Sequence, residues 1–237
     1  MTDVSFCPQT FGVFMKAHSD WLREALGQAE QADVRVMTAT HHNLVPHTEF
    51  TRDNYLMFGN EGMLQLLAAS GVPLNLSGHM HVQNIASQDG VTDAATGAFS
   101  VWSHRYALVT LSDKAGFRYE ARTIRDEFLP EGLMEESREW FSDIVRNMAS
   151  SGLAAVPEET RALMLDYVAR FNLAYFSGTY QKGDPSWKED PAYRLWKESG
   201  DQRFFLYMDF VMNEGEDTDV NHLLWEEKPS SDPLPEA

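Results

Sequence analysis

From Met15 to Ala32 the apolar residues Trp21, Leu22, Ala25, Leu26 and Ala29 recur at three- and four-residue steps, which predicts a helix with one buried face. Asp33 ends it, and the β-branched run Val34-Arg35-Val36-Met37-Thr38-Ala39-Thr40 predicts a short strand. A second amphipathic helix is expected from about Asn60 to Ser70 on Met63, Leu66 and Leu67, with Gly71 where a C-terminal cap belongs. Pro73-Leu74-Asn75-Leu76-Ser77 is the next strand. Strand, helix and strand at this spacing form a βαβ unit, whose strands pair in parallel. Short strands follow at 82–85, 97–102, 106–111 and 117–123, broken by Asp89-Gly90 and Ala115-Gly116, and predict an antiparallel run that completes a sheet.

Beyond Arg125 the pattern becomes helical. Met134, Phe141, Ile144 and Met148 make one stripe; Met164, Tyr167, Val168, Phe171 and Tyr175 a second; Phe204, Tyr207, Met208 and Val211 a third. Helices over 133–149, 158–177 and 201–213 would pack as a small bundle. The reading divides the chain into an α/β region (1–125), a helical C-terminal module (126–228) and a disordered tail (229–237) carrying Pro229, Pro233 and Pro235.

Charge sharpens the division. Residues 1–125 hold 12 acidic against 9 basic side chains, and residues 126–237 hold 24 against 10, within a net charge of −17. Nucleic-acid polymers are bound through Lys and Arg, so the acidic second half argues against DNA or RNA as a partner. No apolar stretch approaches the ~20 residues that span a bilayer. Cys7 is the sole cysteine, which rules out an intrachain disulfide. The compartment is left open, since any export signal would lie upstream of Met1.

The histidines carry the chemistry. Five of eight fall in two windows, Thr40-His41-His42-Asn43-Leu44-Val45-Pro46-His47 and Gly78-His79-Met80-His81. Both windows follow a strand of the βαβ unit, so both open at the same sheet edge, where α/β proteins place their ligands. In extended backbone residues i and i+2 share a side, so His79 and His81 would face one cavity, with Gly78 allowing a sharp turn. Imidazole is the commonest ligand for zinc, iron and manganese. His79, His81 and one of the adjacent pair His41 and His42 are therefore the expected metal ligands; the other of that pair, with Asn43, would lie behind them or on the substrate side, and His47, past Pro46, would reach the same mouth or sit in the surface loop. His18, His104 and His222 lack a metal-spaced partner and are read as structural or solvated.

In this order and on this βαβ unit, the two histidine blocks resemble the C-terminal half of the calcineurin-like metallophosphoesterases. Thr40-His41-His42-Asn43 matches that family's strand-end histidine, and Gly78-His79-Met80-His81 matches its Gly-His-x-His loop. Thr96 to Trp102 and Tyr106 to Val109 are similar to the strands that follow. The appended acidic helices resemble a bacterial branch of cyclic-nucleotide-phosphodiesterase-like proteins. The resemblance implies the C-terminal half of an αββα sandwich and a binuclear centre of Mn, Fe or Zn that hydrolyses a small phosphate mono- or diester. His41 and His79 would bind one ion and His81 the other, with a metal-held hydroxide attacking phosphorus in line.

The family's remaining ligands come from Asp-x-His, Gly-Asp and Gly-Asn-His blocks earlier in its chain, and this sequence contains none of them. Asp3, His18 and Asp20 are the only early candidates, and all sit in other contexts. The expectation is thus a C-terminal portion lacking the N-terminal half of the domain, inactive alone, with an unpaired sheet edge. Two other readings stand beside it. One is a non-catalytic binding or regulatory module whose helices dock a partner. The other is a mononuclear zinc hydrolase on His41, His79 and His81, with Glu49 or Asp53 as base.

Overall fold

The expected βαβ unit forms, with its first strand at the edge of a sheet. A computed structural model describes residues 12–51, 55–112, 116–213 and 219–226; Asp3, Cys7, Asp53 and the 229–237 tail lie outside the described residues. Helix α1 (Lys16–Gln31) leads to a two-residue strand β1 (Thr38–Ala39), helix α2 (Asn60–Ala69) and strand β2 (Leu74–Ser77), and β1 and β2 pair in parallel. Strands β3 (Asn84–Gln88) and β4 (Val91–Ala95) complete a mixed sheet of order β1-β2-β4-β3, with β4 parallel to β2 and antiparallel to β3.

Two strand expectations are corrected here. The β1 strand is much shorter than 34–40, and the stretch 97–102 is irregular. The missed strand is β4, whose five residues are all buried around Asp93. An aspartate in the middle of a run hides a strand from periodicity, yet this one is buried because its oxygens are satisfied. Asp89 and Gly90, at φ 53° and 82°, form the two-residue turn of the β3–β4 hairpin.

Strands β5 (Arg105–Ser112) and β6 (Gly116–Thr123) form the expected hairpin, and a strand absent from the sequence reading, β7 (His222–Glu226), pairs antiparallel with β6. The two sheets pack face to face. Leu74 and Ala94 of the first meet Phe117, Tyr119 and Ala121 of the second, with Val109, Leu223 and Trp225 at the margin. On the first sheet's other side, Leu22 and Leu26 of α1 and Met63, Leu64 and Leu67 of α2 close over Leu44, Val45 and Val91. Leu108 and Leu224 on the second sheet remain exposed.

The helical region runs α3 (Leu133–Ser150), α4 (Glu158–Phe176), α5 (Ser186–Glu189), α6 (Pro191–Glu198) and α7 (Gln202–Asn213). Its core joins Phe141, Val145, Met164, Val168, Phe171, Trp196 and Met208. The α3 stripe is rotated from the expected one: Phe141, Val145 and Ala149 are buried, while Met148 is exposed. The same core takes in Met80, Val82 and Ala95, so the helices rest on the sheet end that carries the second histidine run. No helix among the described residues is long and apolar enough to cross a membrane.

Candidate functional site

The ends of β1 and β2 are fastened by main-chain bonds from Thr40 N–H to Leu76 O (2.9 Å) and from Gly78 N–H to His41 O (3.1 Å). Beside them the Asn43 amide donates to Ser77 Oγ at 2.8 Å. Parallel pairing thus carries both histidine runs to one edge, as the βαβ argument requires. His41 Nε2 and His79 Nδ1 stand 3.1 Å apart. The His42 ring lies 4.1 Å from that of His79, tilted by 38°. Gly12 makes room for it: a Cβ there would come within 2.6 Å of His42 Nδ1.

The second loop reaches this arrangement by a route the sequence did not indicate. His79 and His81 both adopt left-handed backbone, at φ 61° and 58°, so the alternation of an extended strand does not apply to them. Gly78 needs no special freedom, since a Cβ would meet only the His41 carbonyl at 3.7 Å. Left-handed histidines are held against an intrinsic cost of about 1 kcal/mol each. Met80 between them is buried, which anchors the turn. His81 itself is exposed.

His47 lies inside the protein. Its Nε2 is 3.5 Å from Asp93 Oδ2, with both side chains sealed from solvent. Asp93 Oδ2 also accepts from the backbone N–H groups of Leu44 (2.6 Å) and Val45 (3.1 Å), and its Oδ1 accepts from the Asn75 amide (2.9 Å). Burial pushes the Asp93 carboxyl up, but His47, the Val45 N–H and Asn75 outweigh it and hold the group below the usual carboxylate range. The Asn75 amide also donates to Thr40 Oγ1 at 3.0 Å, and the Thr40 hydroxyl donates to the His42 carbonyl at 2.7 Å. One polar chain therefore runs from Asp93 across β4, β2 and β1 to the backbone of the first histidine run. Asn75 and Asp93 escaped the sequence reading; a polar residue at the centre of each buried strand was the available signal.

The remaining histidines are structural or solvated, as expected. His18 Nδ1 accepts from the Met15 N–H (3.2 Å), His104 Nδ1 contacts the Phe99 carbonyl (2.9 Å), and exposed His222 pairs with Asp219 (2.8 Å). Glu49 is exposed at the start of a 3-10 turn, Glu49–Thr51.

The donor set bears on what the site can hold. Two nitrogens each about 2.0–2.1 Å from one zinc ion stand roughly 2.8–3.0 Å apart at octahedral angles and roughly 3.3–3.4 Å apart at tetrahedral ones. The His41–His79 separation fits two positions on a single ion, and without one it is the length of an N–H···N hydrogen bond. Among the described residues no three His, Cys, Asp or Glu side chains converge as a metal-holding group. The pair therefore suits one ion, and a binuclear centre needs donors beyond it.

Comparison with known proteins places a likeness on the other half of the chain. Residues 134–219 match the family model described as the C-terminal domain of cyclic nucleotide phosphodiesterase, which relates the helical region to phosphodiesterases. That is the region whose acidic helices carry the sequence resemblance to cyclic-nucleotide-phosphodiesterase-like proteins. No curated protein matches the chain. Among solved structures, a dimetal phosphatase from Danio rerio aligns with 46% of this chain and 36% of its own length, at 19% identity and a TM-score of 0.39, a similarity too slight to support an inference about the site. The chain is thus an α/β protein whose helical region is similar to the C-terminal domain of cyclic nucleotide phosphodiesterases.

Proposed function

We propose that this chain is the C-terminal portion of a metal-dependent phosphoesterase of the calcineurin-like family, in its bacterial cyclic-nucleotide-phosphodiesterase-like branch. The observation that carries the reading is the 3.1 Å approach of His41 Nε2 to His79 Nδ1 across two parallel strand ends. The family-model match over the helical region supports it from independent residues. His41 and His79 hold one ion between them, and His81 serves a second whose other ligands come from the N-terminal half of the domain. The ions supply positive charge against the phosphoryl group of a small phosphate mono- or diester. His42, packed on His79, fixes the ring that it touches. Asn43 ties the two loops together through Ser77. His47, buried on Asp93, supports the loop from below and does not meet substrate. Alone the chain is inactive or nearly so, because three histidines without carboxylate partners leave most positions on the ions unfilled.

Calorimetric titration with Zn²⁺ and Mn²⁺ tests the reading. One weakly bound ion per chain, lost in His41→Ala and in His79→Ala, is expected, with no turnover of an aryl phosphodiester in Mn²⁺. Ion binding that ignores both substitutions would overturn the site. Turnover by this chain alone, lost in His79→Ala, would overturn the claim that it is incomplete.

A further inference from the structure

Gln83, between the second histidine loop and β3, is 1% exposed. Its side-chain amide donates to the Tyr119 hydroxyl on β6 (3.1 Å) and to the Val220 carbonyl (2.7 Å), and its Oε1 accepts from the Gly97 N–H (3.3 Å). Its main-chain N–H donates to the carbonyl of Phe176, the last residue of α4, at 3.2 Å. One buried residue thus ties the loop to the second sheet, to the approach to β7 and to the end of a helix. We propose that Gln83 is a positioning residue, through which the helical region holds the His79 ring against His41. The inference rests on the phosphoesterase reading for the use of that ring, and it gives the helical region a task, which is to seat the second histidine loop.

Local bonds alone do not account for the shape of this loop. The Met80 N–H donates to the Gly78 carbonyl (2.6 Å), but one turn bond is small against two left-handed histidines, His79 and His81. Such backbone persists where the surroundings over-determine it. Here the surroundings are the helical region: Met80 and Val82 are buried in its core, and Gln83 is bonded to the end of α4. Both hydrogens of the Gln83 amide and its oxygen are engaged, so replacing it leaves several buried partners without a bond where water does not reach. Gly178 shows how closely the parts fit. It stands two residues beyond α4 at φ 67°, and a Cβ there would come within 2.7 Å of Gln83 Cγ and 2.9 Å of Asn221 Oδ1. The Asn221 amide donates to the Gly178 carbonyl (2.8 Å), which closes the contact from the β7 side. Phe176 and Gly178 both lie within the segment that matches the phosphodiesterase C-terminal domain.

The test uses the full chain in EDTA, with labelled histidine rings observed by NMR. In the wild type the His79 ring should show contacts to the rings of His41, His42 and Tyr55, whose centres stand 5.0, 4.1 and 5.5 Å away. Gln83→Met keeps the bulk of the side chain and removes its hydrogen bonds; the contact from His79 to His41 should be lost. Gly178→Ala, on the helical side, should disturb the same signals. Leu26→Ala empties part of the core against α2 and destabilises the chain, yet should leave the His79 contacts intact, which separates positioning from general loss of stability. In the wild type the Gln83 amide should exchange with solvent in step with the amides of α4, as members of one cooperative unit do. That arm needs no variant, so it decides the matter even where Gln83→Met does not fold. Unchanged His79 contacts in Gln83→Met or Gly178→Ala, an equal loss in Leu26→Ala, or a Gln83 amide that exchanges well ahead of α4 would overturn the proposal. EDTA removes metal, so the outcome is independent of the ion titration. Failure here leaves the metal site standing, and failure there leaves the positioning of His79 standing.

Discussion

His47 and Asp93 meet in the interior, Nε2 to Oδ2 at 3.5 Å, where neither side chain reaches water. The contact joins the first histidine loop to β4, the strand beside β2. The same carboxylate fixes the N–H groups of Leu44 and Val45. The loop that presents His41 is thus held from beneath by one acid. Removing one member of such a buried network leaves the others without partners in a place that water cannot repair.

Asp93→Asn should accordingly cost about 3 kcal/mol of folding stability, the scale for breaking a buried charged contact. Urea denaturation of the two proteins measures it. A loss under about 0.5 kcal/mol, the scatter of ordinary surface substitutions, would show that the carboxylate is replaceable by an amide and that the loop is held otherwise.

The lowered pKa of Asp93 sets a direction in pH. Its folded value lies below the unfolded value of about 3.9, so the stabilisation it gives is complete above that value and is lost as pH falls through the folded pKa. The stability gap between wild type and Asp93→Asn should be constant from pH 7 to pH 5 and shrink below about pH 4. Denaturation midpoints at stepped pH follow this directly; a gap that widens in acid would contradict the sign.

Left-handed backbone at His81 predicts a gain from a loss. His81 is exposed at φ 58°, and glycine adopts that conformation freely. His81→Gly should raise stability by about 0.5–1 kcal/mol, net of the extra entropy glycine brings to the unfolded chain. Thermal melts of the metal-free protein check this. A strain kept at a residue that the fold does not need marks a site shaped for another purpose.

The last strand is predicted to be integral to the sandwich. Trp225 stacks on Phe117 with ring centres 5.6 Å apart and planes 10° from parallel. Trp225→Ala should cost about 2–3 kcal/mol, somewhat under the range for fully buried aromatics because the ring is only half-buried. Near-ultraviolet circular dichroism should lose the stacked-indole signal in parallel. An unchanged melt would mean that the strand is ornamental.

Much of the fold was legible because its period was clean. Leu22 and Leu26, then Met63 and Leu67, repeat at helical steps and are buried as such, and the strand following each helix placed His41 and His79 on one edge. What escaped had a physical reason. β4 is centred on an aspartate, so its polarity concealed its burial. β7 is only five residues long, His222–Glu226, and gains its partner from β6, a neighbour about a hundred residues earlier, which local pattern cannot see. The site was half legible. Parallel topology foretold the meeting of His41 and His79, but the direction of His81 depended on backbone angles that no spacing encodes. His47, expected near the mouth, has its ring in the core because Asp93 waits there.

The pairing of Glu120 with His222 in the β6–β7 ladder has a consequence for how this chain came to be built. Everything from α3 to α7 leaves from one rung of a sheet and comes home to the adjacent rung. The bundle is therefore a cassette spliced between two neighbouring strands, stapled at both feet. A cut near residue 125 would part β7 from its partner strand β6 and leave both pieces incomplete, so bundle and sandwich should be expressed together.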